Sequence, residues 1–501
     1  MTTPTLRPIT RLLVANRGEI ALRIMRACDE MGIDTVAVYS DADADALHVR
    51  KASRAVHLGP AAPAESYLAI PRLIEAARSS GADAVHPGYG FLAENASFAA
   101  ACEGAGLTFV GPTSAVMALM GSKIQARLAM RKAGLSVVPG ETPAGQSDDA
   151  LADSAARIGY PLLVKASAGG GGKGMRVVRR ESDLATAVAG ARHEAQSAFG
   201  DGTLYMERLI DHPRHIEIQV LADAHGHAVH LFERDCSTQR RHQKIIEESP
   251  SPAVTPPLRA RMGEAAARAA LAVGYRNAGT MEFLVDGSGD NAHFYFLEMN
   301  TRLQVEHPVT EAVTGVDIVR AQLLVAGGFP LPWAQGELHQ RGHAIECRVY
   351  AEDPAQGFLP QAGTVELYRP PVRPGVRIDS GIEEGTHVSV HYDPLMAKVI
   401  AYAETRALAI ERMSAALAEF ALLGLATNIP FLLRVLQSPA FAEGRLDTAF
   451  LDEEGADLGQ HLPLPLAAYA AAAVHAEPTE ATARTLPSAP DPWERLGGWR
   501  A

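Results

Sequence analysis

At 501 residues, 47% hydrophobic and 21% charged, the chain has the make-up of a soluble globular protein and the length for about three domains of roughly 100–200 residues each. Its net charge of -12 excludes a general affinity for nucleic acid, and it has no run of about 18 apolar residues able to span a membrane. Four scattered cysteines (Cys28, Cys102, Cys236, Cys347) with no CxxC pair fit reduced thiols, and the opening MTTPTLRP has no apolar signal core, so the cytoplasm is the expected compartment.

Residues 11–40 read as strand, loop, helix and strand: RLLVA, NRGE, a helically spaced run to Met31, then TVAVY. A helix over 67–79 and a strand over 83–86 follow, and this alternation predicts a parallel sheet with helices on its faces. A dinucleotide site of the GxGxxG kind is argued against, because NRGE has one glycine where three are needed. Tyr89, between Gly88 and Gly90, falls at the carboxyl end of a strand, where open α/β sheets bind ligands.

Residues 114–160 look helical, with breaks at Pro139 and Pro143. Strands over 162–166 and 175–178 then flank Gly169, Gly170, Gly171, Gly172 and Gly174. Such a run offers backbone N–H groups and positive φ, which lets it wrap phosphates, and Lys165 and Lys173 add cations there. It is not a Walker A loop, since Lys173 is followed by Gly174 rather than Ser or Thr. A helix over 183–200 leads to an apolar strand ending near Glu207, whose carboxylate could help hold an adenosine. His215 alternates with Glu217 and Gln219 on one strand face. Arg240, Arg241, His242 and Lys244 form a basic cluster in an acidic chain and are expected to face a small anion.

TMEFLVD (280–286) and HFYFLEMN (293–300) bracket a polar turn and predict a β-hairpin. Pairing about a centre near residue 290 sets Glu282 opposite Glu298, about 5 Å apart at Cβ. Two carboxylates so close repel unless a proton or a cation lies between them, and beside a phosphate loop Mg²⁺ is the natural cation. Glu298, Asn300, Arg302, Gln304 and Glu306 occupy alternate positions, so a strand through 298–306 would turn all five to one face, suited to a metal and an anion. The pattern changes around Pro330–Pro332. Residues 343–400 read as short strands and 405–422 as a last helix, a separate α+β piece, before a Pro- and Ala-rich tail after about 452.

The motifs VANRGEIA (14–21), HPGYGFLAEN (86–95), KASAGGGGKGM (165–175), RRHQK (240–244), EMNTRLQVEHP (298–308) and ECRVYAEDP (346–354) resemble biotin carboxylase, the ATP-grasp component of biotin-dependent carboxylases. The resemblance runs from about residue 10 to 452. It implies an α/β and α+β chain: a Rossmann-like pre-ATP-grasp domain (1–120), an ATP-grasp domain (121–334) with its glycine-rich lid in a subdomain at about 138–210, a β-rich C-terminal domain (335–455) and a tail or linker (456–501).

By the same resemblance, Lys123, Lys165, Glu207, Leu209, His215, His242 and the 169–174 lid match ATP-binding positions. Glu282 and Glu298, with Asn300, match ligands of Mg²⁺ or Mn²⁺. Lys244, Arg302, Gln304 and the Val305 backbone match the bicarbonate pocket, Glu306 the base that deprotonates bicarbonate, Arg348 the stabiliser of the biotin enolate, and Tyr89 the biotin pocket. None of the 13 methionines is followed by lysine, so biotin is expected on a partner carrier protein or domain, with a carboxyltransferase as a further partner. DPWERLGGWR (491–500) resembles the linker into the biotin-carrying half of fused acyl-CoA carboxylase α-subunits. A homodimer is implied by Arg26, Glu30 and Arg377, although Pro374 stands where an aromatic is usual. The alternatives are another ATP-grasp ligase joining a carboxylate to an amine, or the corresponding subunit of a pyruvate carboxylase; the acyl acceptor is not written in this chain.

Overall fold

A computed structural model describes residues 6–143, 145–167 and 175–460. Up to Gly459 they form one compact unit.

The N-terminal part is a five-stranded parallel sheet in the order Arg54–Gly59, Asp34–Ser40, Arg11–Val14, Ala84–His86, Thr108–Phe109. Leu12, Leu13 and Val14 are wholly buried, as expected for a strand covered by helices on both faces. The helix expected over 67–79 runs from Ile70 to Ser80. Pro71, with no N–H to donate, suits the first turn of a helix rather than its middle, and Gly81 closes the helix at φ 72°. The chain reverses its direction of winding between Arg11–Val14 and Ala84–His86, so the loops leaving these neighbours open a crevice. Asn16 Nδ2 pins that crevice, donating to the carbonyls of Pro87 and Tyr89 at 2.7 Å each. Gly88 is required there, since at φ 63° a Cβ would come within 2.8 Å of the Asn16 amide.

The central element is an eight-stranded antiparallel sheet. Its order is His293–Asn300, Asn277–Asp286, Arg214–Ala222, Ala228–Arg240, Gln243–Ser249, His343–Tyr350, Leu395–Ala403, Val376–Ser380. The stretch that reads as a separate piece after Pro330–Pro332 is therefore hydrogen-bonded into the same sheet, with Ile246 opposite Cys347 and Glu247 opposite Glu346. The helix Pro256–Ala272 packs Leu258, Met262 and Ala266 against Ile216, Ile218, Met281 and Phe283 of this sheet. A small four-stranded antiparallel sheet has the order Gly140–Glu141, Leu204–Arg208, Leu162–Ala166, Arg176–Val178. With helices Asp148–Ile158 and Leu184–Phe199 it builds its own core of Leu151, Leu162, Val164, Val178, Leu204 and Met206. The helix expected over 405–422 is Arg406–Glu419, cut short because 421–423 pairs as a strand with 367–369, and it is not the last: the helices Ile429–Gln437 and Phe450–Leu458 follow it.

The expected hairpin register holds, with Glu282 opposite Glu298. The strand expected through residue 306 does not: it ends at Asn300, and 301–306 leave the sheet for the helix His307–Thr314. All four cysteines are buried and unpaired. Among the described residues no helix is long and apolar enough to cross a membrane.

Phe283, fully buried and packed edge-on against Phe294 and Phe296, anchors the hairpin to the helix beneath it. Phe283→Ala is expected to cost about 3–5 kcal/mol, read as a lowered urea midpoint in circular dichroism; an unchanged midpoint would contradict this packing.

Candidate active site

A row of charged side chains crosses four adjacent strands of the large sheet. Glu298 lies opposite Glu282, Glu282 opposite Glu217, and Glu217 opposite Arg234. Like charges placed directly opposite destabilise a sheet unless cations intervene. Here they do. Lys244 Nζ donates to Glu217 at 2.7 Å, to Glu282 at 2.8 Å and to Glu306 at 2.8 Å, using all three ammonium protons. His215 Nε2 reaches the second Glu282 oxygen at 2.8 Å. Arg234, fully buried, pairs with Glu217 and also donates to Gln219 and Thr310 at 2.9 Å.

The pKa directions follow from this arrangement. Burial opposes charge on Lys244, but three carboxylates outweigh it and hold its pKa well above the usual range. Burial likewise opposes the Glu306 charge, yet Lys244, Arg348 and Arg234 hold its carboxyl well below the usual range, so it is ionised at neutral pH. Glu282 is held low against its burial by Lys244 and His215. At the row's open end, surrounding protein and then the Glu282 charge push the Glu298 carboxyl up.

Residues 301–306 reach the same cluster from a loop rather than a strand. Arg302 donates to Gln304 Oε1 at 2.8 Å and Asn300 Oδ1 at 3.2 Å, and Glu94 accepts from its Nε at 3.0 Å. Gln304 Nε2 donates to Glu282 at 3.2 Å. Glu306, the residue before the first turn of helix His307–Thr314, takes Lys244 on one oxygen and Arg348 Nη2, at 2.9 Å, on the other. Arg348 is held in turn by Glu247 at 2.6 Å, whose carboxyl burial pushes up to about 7.

A second group lies on the small sheet. Lys165 is buried and ion-paired with Glu207, whose other oxygen accepts from Arg127 at 2.8 Å. Burial alone would lower the Lys165 pKa; Glu207 reverses the direction. Lys123 begins the helix Lys123–Lys132, and burial lowers its pKa although Glu298 opposes this. Leu209, just past the strand, donates its N–H to Pro161 at 3.0 Å. His242 sits in a turn at φ 66°, and burial lowers its pKa. Lys123 feels the charges of Glu298 on one side and of Lys165 and Glu207 on the other, so it links this group to the open end of the carboxylate row. The glycines 169–172 and 174 lie outside the described residues.

Tyr89 donates its hydroxyl to Glu19 and borders a cavity of about 190 Å³ shared with Asn16, Arg17, Phe91 and Asp393. The expected basic cluster at 240–244 divides. Arg240 pairs with Glu352 at 3.2 Å and lies 3.8 Å over the Phe358 ring, while Arg241 is exposed, so only Lys244 enters the charged row. Glu282, Glu298 and Asn300 offer hard oxygen donors, with Glu282 and Glu298 directly opposite and Glu298 open to solvent, so the donor set fits Mg²⁺ or Mn²⁺.

Models of protein families match almost the whole of this body: the N-terminal domain of biotin carboxylase over 8–117, the ATP-binding domain of the carbamoyl-phosphate synthase large chain over 122–334, and the C-terminal domain of biotin carboxylase over 346–453. The chain belongs to the biotin carboxylase family. It is 51% identical over 441 residues to biotin carboxylase of Halalkalibacterium halodurans, covering 88% of this chain and 97% of that one. It is 48% identical over 498 residues to the methylcrotonoyl-CoA carboxylase α-subunit of Dictyostelium discoideum, covering 99% of this chain and 71% of that one. Among solved structures, the biotin carboxylase domain dimer of Hydrogenobacter thermophilus 2-oxoglutarate carboxylase, with MgADP, ADP and bicarbonate, superposes with a TM-score of 0.87 at 43% identity, over 91% of this chain and all of that one. A Campylobacter jejuni biotin carboxylase–βγ-ATP complex gives 0.85 at 47% identity, over 89% of this chain and 99% of that one.

Within this family's fold, sequence reasoning missed Glu217 as a member of the cluster, along with Arg234, Glu247, Glu94, Glu19 and Lys398. The alternation of Glu217 with His215 was visible, but a buried charge in a strand reads like a solvated one. His86, which opens HPGYG, shows the opposite effect of burial. Its Nδ1 accepts from Gly88 N at 3.0 Å and its Nε2 meets Gln322 at 3.3 Å, and burial lowers its pKa to about 4. The folded ring stays neutral while the unfolded ring takes a proton below about 6.5, so stability falls as pH drops from there toward 4. The loss attributable to His86 is about 3 kcal/mol. Thermal unfolding between pH 7 and 4 should show this slope, and His86→Asn should make it shallower; an equally steep slope would assign it elsewhere.

Proposed function

We propose that this chain carboxylates biotin with ATP and bicarbonate, as the first half-reaction of a biotin-dependent carboxylase. The observation that carries the residue roles is the joining of Glu306, Lys244 and Arg348 in one buried cluster beside the Glu282–Glu298 pair. Lys244, Arg302, Gln304 and the Val305 backbone would hold bicarbonate, offsetting its repulsion from the ATP phosphates. Glu306 takes the proton. Its basicity is low while Lys244 and Arg348 both bond to it, and rises as bicarbonate draws Lys244 to itself, because hydrogen bonds to the charged form are what depress a carboxyl pKa.

The deprotonated oxygen attacks the γ-phosphorus of ATP and ADP leaves, giving carboxyphosphate. This breaks down to CO₂ and phosphate. The phosphate removes the ureido proton of biotin, and the enolate, stabilised by Arg348, captures CO₂. Lys123, Lys165, Glu207, Leu209, His215 and His242, with the glycine lid, would bind ATP and exclude water from the mixed anhydride. Mg²⁺ or Mn²⁺ held by Glu282 and Glu298 with Asn300 would neutralise the phosphoryl charge during transfer.

Biotin would arrive on a carrier protein or domain and enter beside Tyr89. The acyl acceptor would be chosen by a partner carboxyltransferase: relatives of similar identity include a pyruvate carboxylase subunit and methylcrotonoyl-CoA carboxylase subunits. A homodimer through Arg26 and Glu30, both exposed, and Arg377 is supported by the dimeric neighbour.

Release of ADP that depends on bicarbonate and rises with free biotin tests the activity; turnover with an amine in place of bicarbonate would overturn it. Glu306→Gln and Lys244→Gln are each expected to lower biotin-dependent ATP hydrolysis by about 10²-fold or more, with ATP affinity by calorimetry within a few-fold. Full activity in Glu306→Gln would remove it as the base.

A further inference from the structure

Lys398 lies in the interior of the large sheet, on strand Leu395–Ala403 opposite Arg348, with no exposed surface. A lone ammonium there costs several kcal/mol of desolvation. Its surroundings account for where its charge goes. Glu19 Oε1 lies 3.2 Å from Lys398 Nζ, and Asp379 lies 4.0 Å away and is itself gripped by Arg377 at 2.6 Å. The third neighbour is not an acid: Lys398 Nζ donates to the backbone carbonyl of Val305 at 2.9 Å.

That bond has a clear structural cause. The chain leaves the sheet after Asn300, so the carbonyls of 301–306 have no strand ladder to accept from, and buried carbonyls need another donor. Arg302 bonds the Leu303 carbonyl at 3.2 Å, His307 Nδ1 the Gln304 carbonyl at 2.7 Å, and Lys398 the Val305 carbonyl. Of these, only Lys398 comes from outside the 302–307 segment. The same Glu19 oxygen that faces Lys398 also accepts the Tyr89 hydroxyl at the edge of the 190 Å³ cavity. Tyr89, Glu19, Lys398 and Val305 therefore form one continuous link whose two charged members are buried. Stability alone does not call for it, since a buried ion pair is often replaced by apolar groups at no loss.

We propose that Lys398 is a positioning residue that fixes the Gln304–Glu306 loop relative to Tyr89, so that one buried cation holds the bicarbonate and biotin sites in register. The proposal rests on the biotin carboxylase reading given above. It deepens that reading by joining two substrate sites through a residue that touches neither. ATP contacts are not part of the link, so the three substrates should respond differently when it is cut.

The test uses the full chain with free biotin. Lys398→Met should raise KM for bicarbonate and KM for biotin at least tenfold each, while KM for ATP and the calorimetric ATP Kd stay within threefold. Glu19→Gln/Lys398→Met removes both charges of the link, avoids stranding the Glu19 carboxylate if the single variant fails to fold, and carries the same expectations. Two results would overturn the proposal: unchanged KM for bicarbonate and biotin, or a parallel loss of ATP affinity, which is what a purely structural residue would give. Absence of bicarbonate-dependent ADP release in the unaltered protein is a different failure, since it removes the underlying activity itself.

Discussion

An ammonium group has three protons, and Lys244 gives each of its three to a different glutamate. Much else in the site depends on that. Glu217, Glu282 and Glu298 follow one another across three neighbouring strands, a run of like charges that is unfavourable unless cations lie among them. Lys244, His215 and Arg234 neutralise the inner part of the row and leave Glu298, at its outer end, without an ion pair among the described residues. That gradient from satisfied to unsatisfied charge distinguishes the two ends of the row: Glu306 is gripped by Lys244 and Arg348 at one, and Glu298 stands exposed at the other.

The sheet supplies this row because its strands are long and in fixed register. Strands drawn from residues 214–300 and from 343–403 belong to a single hydrogen-bonded surface, and Lys244 and Arg348 meet at Glu306 because their strands are adjacent. The small sheet at 140–208 has its own hydrophobic core, so its contribution, Lys165 with Glu207, comes from a structure distinct from the floor of the site. The parallel sheet contributes its crevice: Asn16 and Tyr89 stand where two loops part.

Much of this was legible in the chain, and the failures have a common cause. The Glu282–Glu298 pairing follows from the lengths of the hairpin's arms, which the turn residues mark plainly. The strand through 298–306 fails although the alternation is real: Arg302, Gln304 and Glu306 all converge on one charge cluster, and a loop wrapped around such a cluster can mimic the period of a strand. The Arg240–Lys244 cluster divides because Arg240 finds a partner in Glu352, more than a hundred positions away. Arg234, Glu247 and Lys398 gave no signal at all. An ionic residue inside a strand reads as solvent-facing, and only tertiary neighbours reveal that it is buried.

The union of residues 243–249 with 343–350 has an architectural consequence. Family-model boundaries invite the body to be cut near residue 334, yet such a cut would sever a sheet rather than a linker. The N-terminal fragment would end in Gln243–Ser249 as a raw edge, its backbone groups unpaired and its Glu247 and Glu248 side chains stripped of Arg348, His343 and Arg406. Such an edge is a template for intermolecular pairing. The chain therefore has to be synthesised well past this point before its catalytic floor can close, and anything that stalls the ribosome between the two halves leaves an aggregation-prone nascent chain.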